Sequence, residues 1–221
     1  MNTQYKVLKY KSDQTKIVKD FVSIEEPLQI SLKYKDKKEW KTDIISITMR
    51  TPGHDEDLVR GFLFNEQIIT SIKQIDSIKS FGDKVGKYNI QNKILAKLNN
   101  SNNVQITKIK RDFLTNSSCG VCGKSSLDTL DIIKPEKTYL NKPKLKKEVI
   151  IQAPDLLRAS QSEFSKTGGI HASGLFSSNG KLLALREDVG RHNALDKLIG
   201  NILKKKIVKS KHTVYYLFGT S

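Results

Sequence analysis

The chain has 221 residues, 37% hydrophobic and 28% charged, enough for one large domain or two small ones around a packed core. Its apolar runs are too short for a membrane helix, and the polar start Met1-Asn2-Thr3-Gln4-Tyr5-Lys6 does not read as a signal peptide. A formal net charge of +16 argues for an anionic partner, although the excess is almost all lysine and a solvated lysine surface accounts for it equally well.

In chain order, residues 16–24, 28–34 and 43–49 carry alternating or β-branched apolar side chains and are predicted strands, broken at Glu25-Glu26-Pro27 and Lys35-Asp36-Lys37-Lys38. Thr51-Pro52-Gly53-His54, followed by the acidic turn Asp55-Glu56-Asp57, opens a predicted helix to about Asn65. Three further strands are expected at 72–80, 93–98 and 104–110. Residues 134–147, with two prolines and many lysines, read as a linker or crossover. A helix is then expected at 153–164, with Leu156, Leu157 and Phe164 inward. A hairpin of residues 170–177 and 181–186 turns at Ser178-Asn179-Gly180. An amphipathic helix from Gly190 to about Lys204 buries Ala194, Leu195, Leu198, Ile199 and Leu203, and a strand at 213–218 closes the chain.

The only cysteines, Cys119 and Cys122, share one glycine-flanked stretch, Ser117-Ser118-Cys119-Gly120-Val121-Cys122-Gly123-Lys124. Glycines leave room for a partner to reach the sulfurs, and Lys124 favours thiolate over thiol. Half a zinc site, a dithiol redox couple and a sulfur carrier all begin this way. With no export signal and no other cysteine, free thiols in the cytoplasm are expected. None of His54, His171, His192 and His212 lies close enough in sequence to complete a compact zinc finger, and His54 and His212 read as surface residues.

Two polar blocks frame the hairpin. Thr167-Gly168-Gly169-Ile170-His171-Ala172-Ser173 precedes it, and Arg186-Glu187-Asp188-Val189-Gly190-Arg191-His192-Asn193-Ala194 leads from its second strand into a helix. A glycine turn at a helix start offers free N–H donors and the positive end of a dipole to an anion. Arg191 and His192 would add side-chain donors there. Asp188 is expected to cap the helix, and Glu187 and Asp188 to hold Arg186 or Arg191. Arginine is scarce in this chain, so Arg50, Arg186 and Arg191 are the more telling cations. The helix–hairpin–helix–strand order of residues 153–218 invites comparison with zinc deaminases of nucleobases. Their H-x-E motif is absent, however: His192-Asn193-Ala194 and His171-Ala172-Ser173 both lack the glutamate, so deamination is not expected. The positive charge has no aromatic platform or recognition motif beside it, so neither a specific nucleic acid nor a membrane is an expected partner.

The ordered set of Glu25-Glu26-Pro27-Leu28, Met49-Arg50-Thr51-Pro52-Gly53, Gly61-Phe62-Leu63, the cysteine stretch and the two polar blocks resembles the FdhD family of formate dehydrogenase accessory sulfurtransferases. The resemblance implies an α+β or α/β fold. A small β-rich N-terminal domain (1–116) precedes the CxxC loop and basic linker (117–148) and a cytidine-deaminase-like domain (149–221). Members of that family continue past the last strand, so the deaminase-like domain is expected to be truncated at the C-terminus. It further implies that Cys119 carries a persulfide with Cys122 as its partner. Sulfur would come from a cysteine desulfurase and go to a molybdenum or tungsten bis(molybdopterin guanine dinucleotide) acceptor destined for formate dehydrogenase. No permanent metal is expected, and a homodimer is. Arg50, His171, Arg186, Gly190, Arg191 and His192 are the expected contacts to the guanine nucleotide moiety. The alternative is a zinc-binding or redox dithiol module without sulfurtransferase activity.

Overall fold

The structure, a computed structural model, describes residues 1–11, 14–99, 146–207 and 215–219. The cysteine stretch and the strand expected at 104–110 lie outside them. Strands β1 (Asn2–Lys11) and β2 (Gln14–Ser23) form an antiparallel hairpin of their own. Then β3 (Glu26–Asp36), β4 (Glu39–Arg50), helix α1 (Asp55–Asn65), a 3-10 turn (Ile72–Gln74), β5 (Ile75–Val85) and β6 (Ile90–Leu98) build a sheet of order β4-β3-β6-β5. The β3–β6 pairing is parallel and the others antiparallel. Expected strand 72–80 therefore starts three residues late, because Ser71 and Gln74 form a reciprocal capping box that turns the chain first.

Period-two alternation sends Leu28, Ile30, Leu32 and Tyr34 of β3 to one face, where they meet Ile94, Ala96 and Leu98 of β6 and Leu58, Val59 and Leu63 of α1. In β4 the register with β3 slips by one residue, Ile30 facing Ser46 and Ser31 facing Ile44. The extra residue, Ile45, turns into the core, while Ile44 and Ile47 stay outside.

Beyond the undescribed stretch come α2 (Lys147–Ser160), α3 (Ser162–Thr167), β7 (His171–Ser177), β8 (Leu182–Asp188), α4 (Arg191–Lys205) and β9 (Tyr215–Gly219). The one helix expected over 153–164 is two, broken at Gln161, whose backbone is extended. Antiparallel β8-β7-β9 is a sheet covered on both faces. Ala172 and Phe176 pack on Ala153 and Leu157 of α2, and Leu175 packs on Leu198 and Ile202 of α4. Gly174 is small because α2 is close: a Cβ there would sit 2.6 Å from Leu157 Cδ1.

Helix α1 lies between the N-terminal sheet and α4, so α1 and α4 are the seam of the molecule. Their backbones touch. A Cβ on Gly61 would come within 1.9 Å of the Asp196 carbonyl oxygen, and one on Gly200 within 1.8 Å of the Asp57 carbonyl oxygen. Only glycine fits at either crossing point. Among the described residues no helix is long and apolar enough to cross a membrane.

Candidate functional site

The polar blocks singled out in the sequence meet at one end of the second sheet, but most of their charges are spent on the seam. Arg50, at the end of β4, is fully buried. Its Nε and Nη2 donate to Asp55 at 3.1 and 3.0 Å, and its Nη1 donates to the carbonyls of Glu26 and Pro27. That fork fixes the turn Thr51-Pro52-Gly53-His54, in which Gly53 and His54 have φ of 107° and 57°. The acidic first turn of α1 that follows suits the positive end of its dipole. The His54 imidazole is exposed, as expected, and is held below the usual histidine range by partial burial and then by Arg186.

Asp188, also fully buried, is the hub on the other side. Its carboxylate accepts from the N–H groups of Thr51 (3.2 Å) and Gly190 (2.8 Å) and pairs with Lys197 Nζ at 2.6 Å. Lys197 also donates to the Thr51 carbonyl at 2.7 Å, and the Val189 N–H donates to Thr51 Oγ1. Asn193 Nδ2 donates to the Met49 carbonyl at 2.7 Å. One turn outward, Asp57 accepts from Arg186 Nη2 at 2.9 Å and from Asn201 Nδ2 at 3.2 Å. Asp188 therefore fixes the loop before α4 rather than capping the helix: Gly190 is the N-cap, and Asp188 accepts from the N–H of Gly190 itself. Arg186 is held by Asp57 of α1, not by its neighbours Glu187 and Asp188. Gly190 is close-packed, with a Cβ there 3.1 Å from Asn193 Nδ2. Arg191 and His192 are exposed in the first turn of α4.

His171 stands opposite Asp188 in the β7–β8 register, so it belongs to the same sheet end. It lines a cleft of about 340 Å³ together with Arg158, Gln161, Phe164, Gly168, Gly169 and Ile170. Gln161 is 1% exposed, yet neither Nε2 nor Oε1 has a hydrogen-bond partner among the described residues. A buried amide left unpaired costs roughly 1–3 kcal/mol, which makes Gln161, at the cleft wall, a candidate ligand contact. The Arg158 guanidinium lies 3.9 Å from the centroid of the Phe164 ring, a flat cation–π stack. Gly168 closes α3 in the left-handed region (φ 67°); a Cβ on Gly168 would meet open space, and one on Gly169 only the Thr167 carbonyl oxygen at 3.9 Å. Glu187 serves the cleft from behind. Its Oε2 and Oε1 accept the N–H groups of Glu163 and Phe164, holding the start of α3 and thereby the Phe164 ring.

Of the six expected contacts, the structure thus brings His171 to the cleft, leaves Arg191 and His192 exposed, buries Arg50, and engages the half-buried Arg186 and Gly190 in the seam. Sequence reasoning missed Arg158, Gln161 and Phe164 at the cleft, and Thr51, Asp57 and Lys197 at the seam. One signal was present. Asn193, Lys197 and Asn201 recur every four residues, a polar line down the buried face of α4. That helix buries Ile202 where Leu203 was expected, and Leu156 of α2 is exposed. Among the described residues no group of three or more histidine, cysteine, aspartate or glutamate side chains could hold a metal ion.

Fold and site together define an α/β protein whose four-stranded and three-stranded sheets are joined through one helix pair, with a ligand-sized cleft at an end of the three-stranded sheet. The model of the FdhD/NarQ family matches residues 24–217, and the chain belongs to that family. Similar curated proteins include the sulfur carrier protein FdhD of Sulfolobus acidocaldarius, 38% identical over 91% of this chain and 69% of that protein. The protein of the same name from Saccharolobus solfataricus is 40% identical over 90% of this chain and 69% of its own length. A crystal structure of a Desulfotalea psychrophila protein described as a formate dehydrogenase accessory protein shares the fold, with a TM-score of 0.59 at 22% identity, covering 98% of this chain and 72% of that one.

Proposed function

We propose that this chain is a sulfur carrier that takes sulfur onto Cys119 as a persulfide and delivers it to a molybdenum or tungsten bis(molybdopterin guanine dinucleotide) acceptor for formate dehydrogenase. The observation that carries the reading is the likeness to curated sulfur carrier proteins at 38–40% identity over nine-tenths of the chain. The donor is a cysteine desulfurase. The Cys119 thiolate attacks the outer sulfur of the donor persulfide, the donor's sulfur–sulfur bond breaks, and the donor cysteine leaves as thiolate. Cys122 can later attack the inner sulfur of the Cys119 persulfide, releasing the outer sulfur as hydrosulfide and leaving a Cys119–Cys122 disulfide. Both cysteines lie outside the described residues, so this step rests on chemistry and likeness alone.

The acceptor's guanine end suits the cleft. A purinone ring edge presents a carbonyl beside a ring N–H, the complement of Gln161's unpaired Nε2 and Oε1. Phe164 and Arg158 offer a flat stacking surface, and Gly168-Gly169 lets the ring approach the backbone. His171 is at the rim, and the exposed Arg191 and His192 would meet the diphosphate at the α4 N-terminus. Arg50, Arg186 and Gly190 act on the ligand through position, by fixing the Thr51 turn and the start of α4. We read residues 149–221 as cytidine-deaminase-like, residues 1–116 as the small β-rich N-terminal domain, residues 117–148 as the loop and linker between them, and the working unit as a cytoplasmic homodimer.

Mass spectrometry after incubation with a cysteine desulfurase and cysteine tests the carrier. The expected result is a gain of one sulfur atom, reversed by reductant and absent in Cys119→Ala. Stoichiometric zinc on the cysteines with no sulfur adduct would establish the dithiol-module reading instead. For the cleft, Gln161→Leu should weaken guanosine diphosphate binding about tenfold or more, the worth of one buried hydrogen-bonding edge. Equal affinity for adenosine and guanosine diphosphates in the unsubstituted protein would refute the ring-edge assignment.

A further inference from the structure

Among the described residues the β1–β2 hairpin is a sheet of two strands with both edges open. Isolated two-stranded hairpins are marginal in water. This one is latched at its base, where Asn2 Nδ2 donates to Glu163 (2.9 Å) and Ser23 Oγ donates to Thr167 Oγ1 (3.0 Å) of α3. One face meets the β5–β6 turn, with Lys87 Nζ donating to Tyr5 Oη and lying 4.8 Å from the ring centroid.

Beyond the Asn2/Ser23 row, which meets α3, the opposite face is open among the described residues. Cross-strand register puts Gln4/Phe21, Lys6/Lys19, Leu8/Ile17 and Tyr10/Thr15 on it in successive rows. Leu8, Ile17 and Tyr10 are 50%, 71% and 74% exposed, so the apolar rows have no cover among the described residues. The Lys6/Lys19 row lies between Phe21 and the Leu8/Ile17 row. Like charges directly opposite destabilise a strand pair. The other face repeats the arrangement with Lys9 opposite Lys16. A hairpin this thin that carries two lysine–lysine rows gains from an acidic partner.

We propose that this open face docks a protein whose surface offers an apolar strip interrupted by carboxylates that meet Lys6 and Lys19. The charge pattern selects among occupants. A second copy would bring lysine rows against lysine rows. A lipid bilayer would take Leu8, Ile17 and Phe21 only by drawing the intervening Lys6/Lys19 row into hydrocarbon, where an unpaired ammonium is costly. Nucleic acid would leave the aliphatic rows uncovered. A protein surface alone can pair the ammonium groups and cover the apolar rows together.

The choice of probes rests on the sulfur-carrier reading: purified cysteine desulfurase and purified formate dehydrogenase from the same organism, each titrated against the full chain by biolayer interferometry. At least one is expected to bind, more weakly as salt rises. Leu8→Ser with Ile17→Ser should lower that affinity about tenfold or more. Lys6→Glu with Lys19→Glu should do the same. This second variant keeps the cross-strand repulsion and inverts its sign, so its effect does not come from a weakened hairpin. Binding of neither probe, or equal binding of both variants and the unsubstituted chain, overturns the proposal. So does a dimer that Leu8→Ser with Ile17→Ser converts to monomer, or binding to phosphatidylserine vesicles that the same variant loses. Protection of Leu8 and Ile17 from hydroxyl-radical labelling in the isolated monomer would also overturn it, by showing that the chain covers its own arm. Loading of Cys119 from inorganic polysulfide needs no protein donor, so it reports separately whether the carrier reading survives a docking failure.

Discussion

Replacing Gly200 with alanine tests whether the seam between α1 and α4 is the structural hinge of this protein. The added Cβ would lie 1.8 Å from the Asp57 carbonyl oxygen, against roughly 3.3 Å for an ordinary contact, so the helices must part by about 1.5 Å. Backbone is on both sides, and no flexible side chain can yield. Overpacking of this kind costs roughly 1–3 kcal/mol. The separation also stretches the 3.2 Å bond from Asn201 to Asp57 and the 2.7 Å bond from Lys197 to the Thr51 carbonyl past useful length. Each loss in a buried setting costs about 1 kcal/mol or more. Alanine recovers about 1 kcal/mol through its helix propensity. The net loss is about 3 kcal/mol, which lowers the melting temperature of a chain this size by roughly 6–12 °C. Differential scanning fluorimetry supplies the melting temperature and urea denaturation the free energy. A Gly200→Ala protein that melts within about 2 °C of the unsubstituted one would refute the close-crossing argument.

Gly169→Ala is the contrasting case: its Cβ enters open cleft, so stability should hold while guanosine diphosphate affinity falls, as read by calorimetry. Lys197→Met strands the buried Asp188 carboxylate and should cost about 3–5 kcal/mol in urea denaturation, with Asp188→Asn added to it restoring part of the loss. Asp196, pressed against α1 beside Asn65, is pushed up to about 7 by burial, far above the ordinary aspartate range. The folded state thus holds its proton where the unfolded chain has lost it, and stability falls as pH rises from about 4 to about 7. Asp196→Asn should remove that slope, leaving the variant the more stable by about 2–4 kcal/mol near pH 8, by denaturation across pH; parallel pH profiles would refute the assignment.

Local pattern made much of the fold legible. The even-numbered apolar residues of β3, the Asn179-Gly180 turn between β7 and β8, and the span of α4 all follow from periodicity and turn chemistry that neighbouring residues set. Strand β1 was not legible because both its faces mix lysine with apolar residues, Lys6 with Leu8 and Tyr10 on one and Lys9 with Tyr5 and Val7 on the other, so no side is committed to a core. The parallel β3–β6 pairing joins strands separated by more than sixty residues and has no local signature. The polar residues were legible as a cluster but not as individual roles. A buried arginine and an exposed one look alike until the partner is known, and Asp55, Asp57 and Lys197 are partners only in three dimensions. Gln161 carried no signal at all, since a glutamine at a helix break is ordinary unless it is buried.

The density of the Arg186–Ala194 block has two physical sources that the sequence runs together. Arg186, Asp188 and Asn193 join the halves by meeting Asp57, Thr51 and Met49. Glu187, between them in sequence, points to the other side of the strand and holds α3. Strand alternation alone makes this possible: residues 186 and 188 face the seam, and 187 faces the cleft. One strand of the second sheet therefore fixes both the helix pair that joins the halves and the Phe164 ring that forms the cleft wall. His171, opposite Asp188 in register, ties the cleft rim to the same strand. Variants at the seam should accordingly change ligand affinity through the position of β8 and lower stability with it, whereas alanine variants of the exposed Arg191 and His192 should lower guanosine diphosphate affinity with the melting temperature unchanged.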